Sequence, residues 1–204
     1  MIGSTLAKLW VEAGHEVRVA SRHPEQLKEL VDGLGKLASA GTPRDAAEFG
    51  EVVMLTVPLK AVPDLASDVR SSLSGKVVLD TGNAYVRRDG DIARQASEHP
   101  AGSAGWAAAM FPEARWVKAF NTVYYKTLQS EAHRGGDRLG IPLAGDDPGA
   151  LRTAAGLVRN AGFDPVIVGP LIQGKNFEPD TRPYNTGMSG SELRALLRQP
   201  SDRS

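Results

Sequence analysis

Two short polar stretches near the start of the chain have the residue types that bind phosphate. Gly3-Ser4-Thr5 opens a segment with apolar residues at Leu6, Leu9, Trp10 and Ala13, the spacing of a helix with one face on a core. A helix N-terminus presents free N–H groups and the positive end of the helix dipole, which suits an anion. Ser21-Arg22 follows EVRVA (16–20), where Val17 and Val19 alternate as in a short strand. Arginine offers phosphate oxygens a bidentate fork. Taken singly, each stretch also has a plainer reading. Gly-Ser-Thr is an ordinary helix start, and Arg22 is a solvated turn residue.

Together, a small-residue turn, a helix and a strand ending in a polar pair form the pattern of a dinucleotide-binding unit. A pyrophosphate sits at the helix N-terminus and a ribose at the tip of the second strand. An acid at that tip selects NAD through the ribose hydroxyls, whereas a hydroxyl and a cation select the 2′-phosphate of NADP. This chain has no acid there. The full fingerprint G-x-G-x-x-G follows a strand. Only its last glycine, Gly3, stands in this sequence, so the first strand of the fold is read as missing from the chain.

Other polar residues close apolar runs. Thr56-Val57-Pro58 ends EVVMLTV (51–57), Gly82-Asn83 follows KVVLD (76–80), and Asn121-Thr122 follows RWVKAF (115–120). Ligands of open α/β sheets bind at such strand tips, although Asn83 serves equally well as a turn or cap residue. Lys118, inside an apolar run, either snorkels or faces the cleft. His15, His23, His99 and His133 lack metal-ligand spacing, and His133 reads as a solvated surface residue more readily than as a substrate contact. Asp146-Asp147 reads as a turn and helix start, and no Ser-His-Asp set assembles. No catalytic acid–base residue and no metal site is assigned.

Bulk composition narrows the classes further. There is no cysteine, which excludes disulfides and thiolate chemistry. The formal charge is zero, with 24 basic and 24 acidic residues, which argues against a nucleic-acid partner. No apolar run is long enough for a membrane span and no signal peptide is visible, so the expected location is cytoplasmic with no membrane partner.

Helices are expected at 4–13, 24–31, 43–49, 59–73, 91–98, 104–110, 148–161 and 189–197. Strands are expected at 16–20, 37–40, 51–57, 76–80, 115–120, 138–144 and 165–168, with an irregular excursion over 84–104 and a fraying tail over 199–204. Sustained alternation of this kind predicts an α/β, Rossmann-type doubly wound fold, a mostly parallel sheet with helices on both faces. It reads as a single domain, 1–204.

IGSTLA, VASR, MLTVP, VLDTGN and VKAFNTV together resemble the deazaflavin-dependent NADP reductases, the family in which coenzyme F420 exchanges hydride with NADP. The reductase portion of certain membrane metalloreductases is similar. The resemblance implies an oxidoreductase passing a hydride between NADP(H) and a flat small-molecule redox acceptor: coenzyme F420, a flavin-like ring or another acceptor. It implies cofactor contacts from Ile2, Gly3, Ser21, Arg22, Val57, Pro58, Ala61, Asn83 and Asn121. Residues 124–204 would form the acceptor-side wall, with Tyr124, Tyr125 and 183–188 facing the acceptor. Tyr124-Tyr125 stands where the family tends to have smaller residues, so these rings either narrow the cleft or supply a stacking surface. A homodimer is a further expectation of the fold class. Two alternatives compete: a dinucleotide-binding or sensing module without redox chemistry, and a hydroxy-acid dehydrogenase, which would need a downstream helical lysine not found here.

Overall fold

The computed structural model describes residues 1–198, so the tail reading of 199–204 lies outside the described residues. In chain order the elements are α1 (Ile2–Glu12), β1 (Val17–Ala20), α2 (Lys28–Leu34), β2 (Ala38–Gly41), α3 (Pro43–Phe49), β3 (Val52–Leu55), α4 (Val62–Val69), β4 (Val77–Asp80), α5 (Val86–Asp89), α6 (Asp91–Glu98), α7 (Gly102–Ala108), β5 (Arg115–Lys118), α8 (Tyr125–Glu131), β6 (Gly140–Gly145), α9 (Pro148–Asn160), β7 (Asp164–Gly169) and α10 (Gly190–Leu197).

Strands β3 to β7 form one sheet in the order of the chain, and β1 and β2 form a separate parallel pair. Within the larger sheet β3, β4 and β5 are parallel. β6 runs antiparallel to β5 over Val117↔Gly145 and Lys118↔Ala144, and β7 is parallel to β6. The expectation of a mostly parallel sheet holds, with this one reversal. β1 and β3 are not paired with each other. They are joined instead through α1, whose Leu6, Leu9 and Trp10 share a core with Val17 of β1 and with Val52 and Met54 of β3.

Both faces of the larger sheet are covered. Val77, Leu79 and Val117 face the core that contains Phe120 and Phe163. Val78 and Trp116 face a second core, where Phe111 stacks on Trp116 at 5.3 Å. Burial on both sides is why the strands read as continuous apolar runs rather than alternating ones.

Local chemistry sets the element ends. Thr42 and Asp45 cap α3 reciprocally, Asp147 caps α9 by accepting from the Ala150 N–H at 2.6 Å, and Ser189 and Glu192 cap α10. Gly14 and Gly162, just past α1 and α9, have φ of +91° and +92°, a left-handed turn that glycine makes without Cβ strain. The helix expected at 91–98 is α6, inside the 84–104 excursion. Two helices were not expected: α5 at the start of that excursion, and α8 at 125–131. α8 buries only Leu128, so no apolar periodicity marked it.

Candidate functional site

The carboxyl ends of β1, β3, β4 and β5 carry the residues singled out above. At the start of α1, the first hydrogen bond of the helical type runs from Thr5 N–H to Met1 O at 3.0 Å, so the N–H groups of 2–4 have no helical partner. Gly3 lies close to the tip of β3: a Cβ on it would stand 2.9 Å from Thr56 Oγ1. The missing side chain is what lets the helix start sit against that strand tip. Ile2 is partly buried against the main core. Val57 and Ala61 are half-buried beside exposed Pro58, whose carbonyl accepts from the Ala61 N–H at 2.9 Å.

β1 follows α1 after a short turn and therefore brings its tip back to the side where α1 begins. There Ser21 N–H donates to Gly41 O at 3.2 Å, and Ser21 Oγ accepts from the His23 N–H at 3.1 Å, which leaves the hydroxyl hydrogen free. Arg22 is exposed and takes part in no ion pair among the described residues. Arg18 on the same strand is engaged: its Nε donates to Ser39 Oγ at 3.0 Å and its guanidinium lies 4.5 Å over the Phe49 ring. Of the two arginines, Arg22 is the one available to an anion.

Asn83 and Asn121, read separately from the sequence, meet in a closed lattice. Asn121 Nδ2 donates to Asn83 Oδ1 and to Phe177 O, both at 3.0 Å. Asn83 Nδ2 donates to Asn121 O at 2.8 Å and to the Tyr85 hydroxyl at 3.2 Å. All four amide hydrogens are thus committed. Asn121 Oδ1 and Thr122 Oγ1 remain buried without a partner, two acceptors of the kind a carboxamide N–H would satisfy. The backbone just before Asn121 is unusual: Phe120 has φ of +59°. A left-handed phenylalanine costs on the order of 1–2 kcal/mol. Burial of the ring between Trp10 and Phe163, at 6.1 and 6.2 Å, holds it there, and the sharp turn places Asn121 opposite Asn83. No sequence signal announced that turn.

Beneath the lattice lies a buried charged group. Lys118 is fully buried, and its ammonium donates to Gly82 O at 2.9 Å and Ser103 Oγ at 2.9 Å and pairs with Glu178 Oε1 at 3.1 Å. Of its two sequence readings, snorkelling or facing the cleft, neither describes it: the head is held inside. Asp80, also buried, accepts from Gly82 N–H at 2.8 Å. Burial pushes the Asp80 carboxyl up from its usual range, against the opposing pull of Lys118. An acid whose folded pKa is raised loses stability as pH climbs through and above its unfolded value, about 3.9. Asp80→Asn keeps the acceptor for Gly82. It is therefore expected to melt with the parent below about pH 4 and above it at pH 7. Thermal melts across that window check this; a variant less stable at pH 7 would show that the carboxylate's attraction to Lys118 dominates.

The chain's four tyrosines form two pairs. The Tyr85 and Tyr184 hydroxyls share a hydrogen bond, and Arg88 lies 4.9 Å over the Tyr85 ring. The Tyr124 and Tyr125 rings are 4.6 Å apart and tilted by 60°. Asn185 connects the two pairs, accepting from the Tyr124 N–H at 3.3 Å and donating its own N–H to Thr122 O at 2.7 Å. Burial and the Tyr85 hydroxyl raise the Tyr184 phenol, so it stays protonated at neutral pH. Tyr85 thereby joins the residues that the sequence reading had named, Tyr124, Tyr125 and 183–188, the last of which includes Tyr184. The histidines stand apart from it: His15 bonds Asn160, His23 pairs with Glu25, and no metal-holding cluster occurs among the described residues.

Comparison with known proteins agrees with this fold. The family described as NADP oxidoreductase, coenzyme F420-dependent, matches residues 1–84. The rat metalloreductase STEAP3 is 28% identical over 174 residues, which is 85% of this chain and 33% of that protein, so the chain spans about a third of that relative's length. The crystal structure of the hypothetical protein SMa0349 from Sinorhizobium meliloti superposes with a TM-score of 0.77 at 28% identity, covering 92% of this chain and 90% of that one. A protein described as an F420-dependent NADP-reductase, from Arthrobacter sp. FB24, superposes with a TM-score of 0.73 at 20% identity, covering 92% and 94%, and supports the fold. Among the described residues no helix is long and apolar enough to cross a membrane.

Proposed function

We propose, from the premise that residues 1–84 match the F420-dependent NADP oxidoreductases, that this chain binds NADP(H) along its strand tips and passes a hydride to or from a flat redox acceptor. One observation carries the reading: α1 begins against the β3 tip at a glycine whose Cβ the strand would exclude, and beside it the β1 tip offers an uncommitted Arg22.

Each named group has a physical task. The α1 N–H groups at 2–4 receive the pyrophosphate. Arg22 and the Ser21 hydroxyl take the 2′-phosphate. Val57, Pro58 and Ala61 flank the adenosine half. The orphan Asn121 Oδ1 and Thr122 Oγ1 accept from the carboxamide, while the committed amides of Asn83 and Asn121 keep both loops in register. The tyrosine rings offer an aromatic face against which a planar acceptor stacks and from which water is displaced. When bound, the nicotinamide supplies the hydride chemistry itself. This explains why no acid–base pair is needed. The acceptor class we favour is a deazaflavin such as coenzyme F420 or a flavin; ferric chelates and small imines are the comparison set.

The test is direct. NADPH and NADH binding are measured by titration, followed by NADPH consumption with deazaflavin, flavin, ferric chelate and imine acceptors. NADPH-selective binding with turnover of a planar acceptor is expected. Binding without turnover of any acceptor would favour a sensing module, and absence of NADPH binding would overturn the reading.

A further inference from the structure

We infer that Lys118 is a positioning residue for this site. Its buried ammonium holds the acceptor-side segment 177–185 in register with the cofactor-side loop 82–85. The functional half of this inference rests on the NADP(H) reading above.

The position is costly. Burying an ammonium carries a desolvation penalty unless it is paired and hydrogen-bonded, and a strand buried on both faces accommodates an apolar side chain without it. The Lys118 ammonium is satisfied by two hydrogen bonds, to Gly82 O and Ser103 Oγ, and by an ion pair with Glu178 Oε1 at 3.1 Å. Glu178 Oε1 also accepts from the Ser103 N–H at 2.9 Å and from Ser103 Oγ at 2.5 Å. The ammonium therefore joins three segments remote in sequence: the loop after β4, the first turn of α7, and the chain that follows the 3-10 turn at Leu171–Phe177.

Two glycines clear the space for this arrangement. A Cβ on Gly174 would stand 2.9 Å from Lys118 Cδ, so the lysine stem runs where that side chain would be. A Cβ on Gly102 would stand 2.7 Å from Glu178 Oε2. Both partners of the ion pair are thus accommodated by bare backbone.

The segments fixed here are the ones that shape the site. From Gly82 the chain passes directly to Asn83 and Tyr85. From Glu178 it passes back to Phe177, whose carbonyl accepts from Asn121, and forward to Tyr184, which bonds Tyr85. The buried Asn83–Asn121 lattice and the more exposed Tyr85–Tyr184 contact join the same two segments. Lys118 joins them from below. Without it, Phe177 and Tyr184 have no charged anchor relative to the nicotinamide loops, while the phosphate contacts at α1 and β1 are untouched.

The experiment uses Lys118→Met, which preserves stem volume, and the double variant Lys118→Met/Glu178→Gln, which also removes the stranded carboxylate and so keeps a folded protein in hand. In the unliganded double variant, amide exchange over 82–85 and 177–185 is expected to speed up at least about 10-fold while α9 is unchanged. With NADPH, dissociation constants should stay within about 2-fold of the parent, while kcat with the planar acceptor falls at least about 10-fold. Unchanged exchange in the two segments, or exchange raised equally in α9, would overturn the inference. So would a double variant with parental kcat, which would reduce Lys118 to the neutraliser of Glu178. The exchange measurement needs no cofactor, so it still decides the positioning role if the parent protein proves not to turn over NADPH, a result that would count against the functional reading alone.

Discussion

Replacing Arg22 by alanine is expected to weaken NADPH binding about 10- to 150-fold, the range that 1.5–3 kcal/mol of charge-assisted hydrogen bonding represents, and to leave NADH binding within about 2-fold. The side chain is exposed and lacks an internal ion pair among the described residues, so its removal disturbs no folded-state contact of that kind. Thermal stability should accordingly stay near that of the parent. Arg18, four residues earlier, is the control: its guanidinium is committed to Ser39 and Phe49, and Arg18→Ala should disturb stability more than NADPH selectivity. Titration of both nucleotides against the two variants checks the pair. Equal loss of NADPH and NADH in Arg22→Ala would mean that the guanidinium does not read the 2′-phosphate. The salt dependence of NADPH binding should also shrink in Arg22→Ala, because a screened surface charge has been removed from the contact.

Asn121→Ala is expected to show the largest combined effect. The substitution withdraws both donors from a buried lattice and leaves Asn83 Oδ1 and Phe177 O without their partner. Each stranded buried acceptor costs about 1–3 kcal/mol. A total near 3 kcal/mol would lower the melting temperature by about 6–12 °C in a domain of this size. Turnover of NADPH with a planar acceptor should fall at least about 10-fold, because both loops lose their register and the site loses the Asn121 Oδ1 acceptor. Asn121→Asp is the informative companion. It keeps the shape but sets carboxylate oxygens against Asn83 Oδ1 and Phe177 O, so it should be no less damaging. Melting curves and steady-state kinetics on both variants check this. A melting temperature within about 2 °C of the parent with full turnover would show that the lattice neither supports the fold nor shapes the site.

Local signals were dependable where one segment decides its own structure. The apolar runs around 52–55, 77–80 and 115–118 became strands because both of their faces are covered. The Thr42, Asp147 and Ser189 starts became capped helices because capping is settled within four residues. The signals failed where few apolar side chains turn inward, as in α8 and the single turn of α5. The reversal of β6 against β5 was equally invisible. Strand direction is set by the connection through α8 and by packing in the core, and the apolar pattern of a strand reads the same in either direction.

For the site, the amino-acid sequence by itself determined which residue types stand at the strand tips: a glycine at a helix start, a hydroxyl and a guanidinium without an acid, and two asparagines after apolar runs. These are properties of neighbours along the chain, and short-range chemistry carries them. Only the tertiary structure decided that Asn83 and Asn121 are partners, that Phe120 turns left-handed between two aromatic rings, and that Lys118 is wholly enclosed and bound to Glu178, 60 residues away in sequence. The physical reason is the same in each case. A buried polar group must find its hydrogen-bond partners wherever the packed chain brings them, and that closure depends on every element that surrounds it.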